Sequence, residues 1–361
     1  MNLITEINLD NLEEISLGAS LLGTGGGGDP KTGLLMAKAA INKFGPIKVV
    51  QVKDLADEAV VGAISMMGAP TVSLEKIPNG VEFEFLLDEL EKLFNKKIEY
   101  LYPVEAGGIN SLVPLLVAAK KNIPILDGDT MGRAFPELQM VTFNIYNIKP
   151  FPIILSNTKK EKVIIDGKDF YEVEQKARQW TVKMGGSVAV GDGVVEGKIF
   201  KKIAIREIIS LSKALGTIIK TSKQPFDDLY DVGGYKLFSG KIVDIVRKTE
   251  GGFNKGYVQI EGINESHGRS FTVHIQNENL VVFEGEKKLC MVPDLITLLD
   301  SQTAIPITTD SLKYGQRIVG IAFKCNEQWR SIAGLEIVGP KAFGYDFEYE
   351  AVEKLLGGKN V

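Results

Sequence analysis

The sequence predicts two domains: an α/β N-terminal domain with a largely parallel, helix-covered sheet over residues 1–165, and a β-rich C-terminal domain over residues 166–361. Three observations support this fold class. The chain has 361 residues, more than one ordinary hydrophobic core organises. Strand-like and helix-like segments alternate in the first half. In the second half, short strand-like runs follow one another between glycine- and asparagine-rich turns, which is typical of antiparallel sheet.

In the first half, hydrophobic periodicity identifies the elements. Apolar residues at helical spacing predict helices over four ranges: 12–22, 31–42, 82–95 and 111–121. Short runs of apolar and β-branched residues predict strands over four others: 47–52, 59–65, 98–104 and 123–126. Such alternation places the helices on the faces of a parallel sheet.

The second half begins with a glycine-rich patch at 184–193, which is interpreted as a hinge or as turns near the domain junction. A helix follows at 203–215. Turns at 251–252, 265–268 and 277–279 then separate strands predicted over five ranges: 241–246, 257–260, 271–275, 280–283 and 316–324.

Composition excludes several functional classes. The net charge of −4 is spread along the chain without a basic block, so no nucleic-acid partner is expected. No secretory signal and no apolar run of about 18–20 residues is present, which predicts a cytoplasmic protein without a membrane span. Cys290 and Cys325 stand singly in apolar surroundings and are predicted to be reduced core thiols. Two histidines are too few for a histidine-rich zinc site.

The glycine-rich segment at 23–28 does not fit the nucleotide-binding loops that it resembles in spacing. A dinucleotide-binding loop follows a strand, whereas a helix is predicted to precede this one. A phosphate-binding loop of the Walker type requires Lys and Ser or Thr where Asp29 and Pro30 stand. Neither NAD nor ATP is therefore expected as a cofactor.

The same segment is predicted to bind an anionic group of a ligand. Consecutive glycines permit positive φ angles and let backbone N–H groups converge. Pro30 suits the first position of the next helix, whose N-terminus would add a positive dipole end. The alternative is a tight turn between two helices. The predicted anion- or substrate-binding residues here are Thr24, Gly25, Gly26, Gly27 and Gly28.

Carboxylates follow two of the predicted strands. Asp127 and Asp129 follow the strand at 123–126, and Glu105 follows the strand at 98–104. Ligand sites in open α/β sheets lie beyond the carboxyl ends of strands, so these three side chains are predicted catalytic residues. Arg133 would orient a carboxylate or neutralise the cluster.

Further ligand contacts are predicted next to these carboxylates. Gly107, Gly108 and Asn110 are predicted to contact substrate, because the glycine pair allows close approach of a ligand. Asp127 and Asp129 are candidate ligands for a divalent metal. The alternative is an Asx-type turn at Asp127–Asp129 with a helix cap beside it.

Residues 65–70 end another predicted strand and would line the same cleft, with Glu75 beyond them. Met66 and Met67 in this segment are interpreted as packing residues. No Gly-x-Ser-x-Gly nucleophile motif is present.

These motifs together resemble a bacterial family formerly catalogued as a domain of unknown function and now named for S-methyl thiohydantoin desulfurase. The similarity runs in consistent order through LGTGGGGDP (22–30), GAPTVSLEK (68–76), EAGGINSLVPLLVAA (105–119), PILDGDTMGRAFPELQMVT (124–142), QNENLVV (276–282), VPDLITLLD (292–300) and GPKAFGYD (339–346). The resemblance implies an α/β domain followed by a β-rich domain. It also implies an association with hydantoinase/oxoprolinase-type proteins.

The activity that the resemblance implies is hydrolytic removal of methanethiol from an S-methylated thiohydantoin, which leaves a hydantoin. The first functional hypothesis is therefore a hydrolase for a small cyclic amide or amidine of the hydantoin class. The alternative is a non-catalytic accessory or ligand-binding subunit of a hydantoinase/oxoprolinase system. A nucleotide-dependent transferase is disfavoured by the glycine segment, and a homo-oligomer is compatible with the sequence.

Overall fold

The structure is a computed structural model that describes residues 2–68 and 78–357, and it confirms the predicted fold class. A nine-stranded sheet with helices on it is built from the first part of the chain. A seven-stranded antiparallel sheet is built from the second part. Within the described ranges, no helix is long and apolar enough to cross a membrane. Cys290 and Cys325 are both buried and unpaired, as predicted.

The first sheet and its helices comprise, in chain order, β1 (Glu6–Ile7), α1 (Leu12–Leu22), α2 (Pro30–Phe44), β2 (Ile47–Gln51), β3 (Val60–Gly68), α3 (Val81–Phe94), β4 (Tyr100–Tyr102), α4 (Val113–Lys121), β5 (Ile125–Asp129), α5 (Thr142–Ile145), β6 (Ile153–Ser156), β7 (Lys162–Ile165), α6 (Phe170–Lys183), β8 (Ser187–Glu196), α7 (Gly197–Ile203), β9 (Ile205–Arg206) and α8 (Ile208–Thr221). Helix α9 (Pro225–Asp231) leads to the second sheet.

The second sheet comprises β10 (Tyr235–Glu250), β11 (Phe253–Gly262), β12 (Ser270–Gln276), β13 (Glu278–Glu284), β14 (Lys287–Met291), β15 (Leu295–Asp300) and β16 (Arg317–Phe323). Three short helices follow, α10 (Glu327–Arg330), α11 (Ile332–Val338) and α12 (Val352–Leu355). The strands are ordered β14-β13-β12-β11-β10-β16-β15, and all neighbours are antiparallel.

The centre of the first sheet is parallel. Its strands are ordered β1-β2-β5-β4-β3-β8-β6-β7, and β9 pairs with β5. The pairs β2–β5, β5–β4 and β4–β3 are parallel, whereas the flanking pairs are antiparallel. The carboxyl ends of β3, β4 and β5 therefore meet at one edge of the sheet, where ligand sites of such sheets are found.

Residues 184–186 of the glycine-rich patch form a turn after α6, as the turn interpretation predicted, whereas residues 187–193 belong to strand β8, which pairs with β3. A Cβ at Gly193, which has φ +64°, would lie 1.8 Å from the hydroxyl oxygen of Tyr102, so glycine is required for this close approach. Strands β8 and β9 belong to the first sheet, although they follow residue 166. The predicted boundary at 165/166 consequently does not separate the two sheets.

Asp127, in the middle of β5, caps the N-terminus of α8. Its fully buried carboxylate accepts hydrogen bonds from the N–H groups of Ile209 (2.8 Å) and Ser210 (3.1 Å). The Ser210 hydroxyl and the Gln51 amide donate to the same carboxylate. The residue at the ordinary capping position, Glu207, makes no capping hydrogen bond with its side chain. Asp127 therefore replaces a local cap and joins the first sheet to α8.

We expect Asp127→Ala to lower the free energy of unfolding by about 2–4 kcal/mol, because four donors, three of them buried, lose their acceptor. Asp169→Ala is the matched control, since Asp169 caps α6 from its ordinary position through one hydrogen bond, to Glu172 N. That change should cost about 1 kcal/mol. Urea denaturation of both variants measures the difference, and equal losses would contradict the structural role of Asp127.

Candidate functional site

A cavity of about 100 Å³ lies at the carboxyl edge of the first sheet, where the start of β13 meets it. This volume is smaller than the roughly 150 Å³ of a cavity that holds benzene, so the site suits only a small ligand. Its lining comes mainly from residues 26–28, 65–68, 104–105, 109–110, 135–138 and 277–278. The site is thus shared between the two sheets.

Glu105 lines the cavity and is 4% exposed. One carboxyl oxygen accepts a hydrogen bond from the Asn110 side-chain amide (2.8 Å), and the other accepts one from the Phe135 N–H (3.3 Å). Burial raises the pKa of Glu105 to about 7, and these hydrogen bonds only partly offset the effect. Near neutral pH the group therefore exchanges a proton readily, as a general base must.

Glu278, the first residue of β13, is a second buried carboxyl in the same cavity and was missed in the sequence analysis. Burial, reinforced by the nearby Glu105, raises the pKa of Glu278 well above its usual range. Among the described residues its Oε2 has no hydrogen-bond partner. A buried carboxyl of this kind favours its protonated form and has a proton to donate to a ligand.

The glycine loop, residues 23–28, lies against Glu278 and against the loop that follows β4. A Cβ at Gly26 would lie 1.9 Å from Glu278 Oε1, and one at Gly27 would lie 2.5 Å from the Cα of Gly107. Gly27 and Gly28 both have positive φ angles and line the cavity. Their N–H groups have no acceptor in the part of the chain that the structure describes. The loop therefore permits close packing and also offers free donors to a ligand.

The N-terminus of α2 does not serve a ligand in the way the sequence predicted. Asp29 caps this helix and accepts the N–H groups of Lys31 and Thr32, both at 3.1 Å. Pro30 does occupy the predicted first turn. The anion at this helix end is the chain's own Asp29 carboxylate, so the donors available to a ligand are those of the loop alone.

Asn110 connects three parts of the cavity wall. Its side chain exchanges two hydrogen bonds with the Met66 backbone, to N (2.8 Å) and O (3.1 Å), besides donating to Glu105. The backbone N–H groups of Ile109 and Asn110 donate to Gly27 O. Gly107 and Gly108 pack against the glycine loop but are not among the residues that line the cavity. Asn110 thus fixes the position of Glu105.

Arg133 lies behind the glycine loop rather than in the cavity lining, and it is 1% exposed. Its guanidinium donates to Thr24 Oγ1 (2.8 Å) and to the carbonyl oxygens of Pro293 (2.8 Å) and Asp294 (2.9 Å). It also lies 4.6 Å from the centre of the Phe135 ring. Arg133 therefore holds the start of the glycine loop against the turn between β14 and β15.

The structure does not bring Asp127 and Asp129 together with Glu105 in the cavity lining. Asp127 caps α8. Asp129 accepts the N–H groups of Met131 and Gly132 in a local turn, as in the alternative interpretation, and burial raises its pKa well above the usual range. Across the described ranges, no three His, Cys, Asp or Glu side chains are placed to hold a metal ion. These donors do not fit the divalent metal suggested for Asp127 and Asp129.

Two further side chains of the cavity were missed in the sequence analysis. Arg178 lines the cavity, pairs with Glu174, donates to Pro136 O (3.0 Å) and stacks 4.2 Å from the Phe253 ring centre. Asn277 precedes Glu278. The only available signal was the motif QNENLVV, whose polar residues were interpreted as a turn. Residues 65–68 line the cavity as predicted, whereas residues 69, 70 and 75 lie outside the described residues.

Comparisons with known proteins agree with this architecture. The model of the S-Me-THD-like N-terminal domain matches residues 10–167, and that of the S-Me-THD-like C-terminal domain matches residues 168–352. A crystal structure of a protein from Chromobacterium violaceum is similar, with 21% sequence identity and a TM-score of 0.78 over 97% of this chain and 100% of that chain. This likeness shows the fold. No protein of curated function matches the sequence.

We expect Arg133→Met to lower the free energy of unfolding by more than about 3 kcal/mol, because buried acceptors in Thr24, Pro293 and Asp294 lose their donor. Arg247→Met is the matched control: Arg247 also donates to three carbonyl oxygens, but it is exposed. Its replacement should cost less than half as much, because water substitutes for the lost donor. Chemical denaturation compares the two, and similar losses would argue against the role of Arg133.

Proposed function

The chain belongs to the S-Me-THD-like family, and from this premise we propose that it hydrolyses an S-methylated thiohydantoin to a hydantoin and methanethiol. The proposal rests on one observation: two buried carboxyls, Glu105 and Glu278, line one small cavity, and burial raises the pKa of Glu105 to about 7 and that of Glu278 well above its usual range, which suits a base and an acid. Pairs of titratable groups in different environments are typical of acid–base catalysis.

In the proposed reaction Glu105 is the general base. It removes a proton from water, and the water oxygen bonds to the ring carbon that carries sulfur. The π-electron pair of the adjacent C=N bond moves to the ring nitrogen, which takes the proton of Glu278. The result is a tetrahedral intermediate with hydroxyl and S-methyl groups on the same carbon.

Collapse of the intermediate restores both carboxyls. The hydroxyl group returns its proton to Glu278 as the carbonyl forms, and the C–S bond breaks. The methanethiolate that leaves takes the proton held by Glu105. One water is consumed for each methanethiol released, and Glu105 and Glu278 end in their starting protonation states.

The glycine loop supports this chemistry through its free backbone donors. The N–H groups of Gly27 and Gly28 are positioned by the protein, so they need no reorganisation to stabilise negative charge that develops on the substrate. Asn110 holds Glu105 in place through its amide. Arg133 acts from behind the loop as a positioning residue, because it holds Thr24.

The alternative is a non-catalytic subunit that binds a hydantoin-type ligand for a hydantoinase/oxoprolinase-type partner. Such a subunit would use the same cavity, since the free glycine N–H groups bind a ligand whether or not it reacts. It differs in one measurable respect. Purified protein would bind S-methyl thiohydantoin without releasing methanethiol, and turnover would appear only with the partner.

We expect Glu105→Gln to lower kcat by about 10²- to 10⁴-fold, because the amide cannot accept the proton of water. Glu82→Gln is the matched control: Glu82 is also buried, burial raises its pKa, and its Oε2 lacks a partner among the described residues. Since Glu82 is not in the cavity lining, its replacement should leave turnover near the wild-type level. Methanethiol release is measured by mass spectrometry, and wild-type turnover by Glu105→Gln would remove the base from the mechanism.

The pH dependence of kcat/KM is expected to be bell-shaped. Glu105 acts deprotonated, so activity falls as the pH drops below its pKa of about 7. Glu278 acts protonated, so activity falls again as the pH rises through its raised pKa. Any residual activity of Glu105→Gln should lack the acidic limb. A profile of the wild type that stays flat across pH 7 would contradict the assignment of Glu105.

A further inference from the structure

Methionine is concentrated in the cavity wall. Three of the eight methionines in the chain line it: Met66, Met67 and Met131. The other apolar residues of the lining are Val104, Ile109, Phe135, Pro136 and Leu138, and the remainder is made of carboxyls, amides, an arginine, a serine and glycines. The proposed base and acid use none of these apolar side chains.

The order of the strands places two of these methionines on either side of Glu105. In the first sheet β4 lies between β5 and β3. Met131 follows β5, Glu105 follows β4, and Met66 is at the end of β3. Since the three strands are parallel, these three residues succeed one another along the carboxyl edge. Met131 and Met66, which both line the cavity, therefore flank Glu105 along this edge.

We propose that Met66 and Met131 form the pocket for the S-alkyl group of the substrate and restrict that group to methyl. This inference rests on the proposed function and names the part of the site that selects the leaving group. The ring nitrogens and carbonyl require hydrogen-bonding partners, which Glu278, Gly27 and Gly28 supply. The S-alkyl group requires no hydrogen-bonding partner, so it is expected to bind against the apolar side chains beside Glu105.

Size and polarisability both favour methyl at this position. The cavity is small, about 100 Å³, so each added methylene of the S-alkyl group is hard to accommodate. The thioether of methionine is soft and polarisable and fills irregular gaps, so it can adapt to the shape of a small S-methyl group. A pocket closed by such side chains separates two substrates that differ by one methylene about 10- to 200-fold.

The test compares S-methyl, S-ethyl and S-propyl thiohydantoin with the full-length protein. Titration calorimetry gives Kd and methanethiol, ethanethiol or propanethiol release gives kcat/KM. The variants are Met66→Ala, which shortens a half-buried side chain, and Met131→Val, a smaller change at a buried position that the fold tolerates better than alanine. Met36→Ala is the control, since Met36 packs on the core but is not in the cavity lining.

The wild type should bind the S-methyl compound at least about 10-fold more tightly than the S-ethyl compound. Met66→Ala and Met131→Val should each reduce this ratio by several-fold, and Met36→Ala should keep it. Unchanged ratios in both cavity variants, or no binding of any S-alkyl compound, would overturn the inference. Selective binding of the S-methyl compound by the wild type, without release of thiol, would support the S-alkyl pocket and contradict the proposed hydrolase activity. Failure of the pocket and failure of the hydrolase proposal can therefore be distinguished.

Discussion

The position of the cavity depends on one buried guanidinium. Arg133 binds Thr24 at the start of the glycine loop and two carbonyl oxygens in the turn between β14 and β15. That turn is itself anchored, because the Asp294 carboxylate accepts hydrogen bonds from Arg330 and Tyr349 near the C-terminus. Through these contacts the glycine loop keeps a fixed distance from the second sheet, and Gly26 and Glu278 are brought into contact across the junction.

Burial determines the electrostatics of the site. The acceptors of Arg133 are uncharged carbonyl and hydroxyl oxygens, so no carboxylate is paired with it directly. Its positive charge lowers the pKa of Glu278, but desolvation has the larger effect and keeps that pKa high. The result is a small cavity in which burial raises the pKa values of Glu105 and Glu278, with the positive charge of Arg133 close behind the glycine loop. Such a site favours ligands that develop negative charge as they react.

The local hydrophobic pattern of the sequence predicted those residues of the candidate site that directly follow a helix or a strand. Glu105, Asn110 and the glycine loop lie at the cavity because each follows an element that hydrophobic periodicity identifies, and the fold class is confirmed for the same reason. The remainder depends on contacts between distant segments. Asp127 follows a predicted strand, as residues of a ligand site do. Its role as a helix cap depends on contact with α8, which lies about 80 residues later in the chain and could not be predicted locally. Glu278 comes from the other sheet, so no local pattern in the first half indicates it. Strand β8 was not predicted because Gly193 looks like a turn residue in the sequence, whereas it is glycine because a side chain on β4 packs against it.

The pairing of β3 with β8 has a consequence for the order in which the chain is made. A ribosome that has completed β3, at Gly68, has yet to synthesise the strand that covers its free edge, which starts at Ser187. At about 5–20 residues per second, that interval lasts on the order of ten seconds. During this time the growing chain exposes an unpaired, apolar strand edge of the kind that recruits other chains. The topology thus leaves this edge of β3 without its partner strand until more than a hundred further residues have been made.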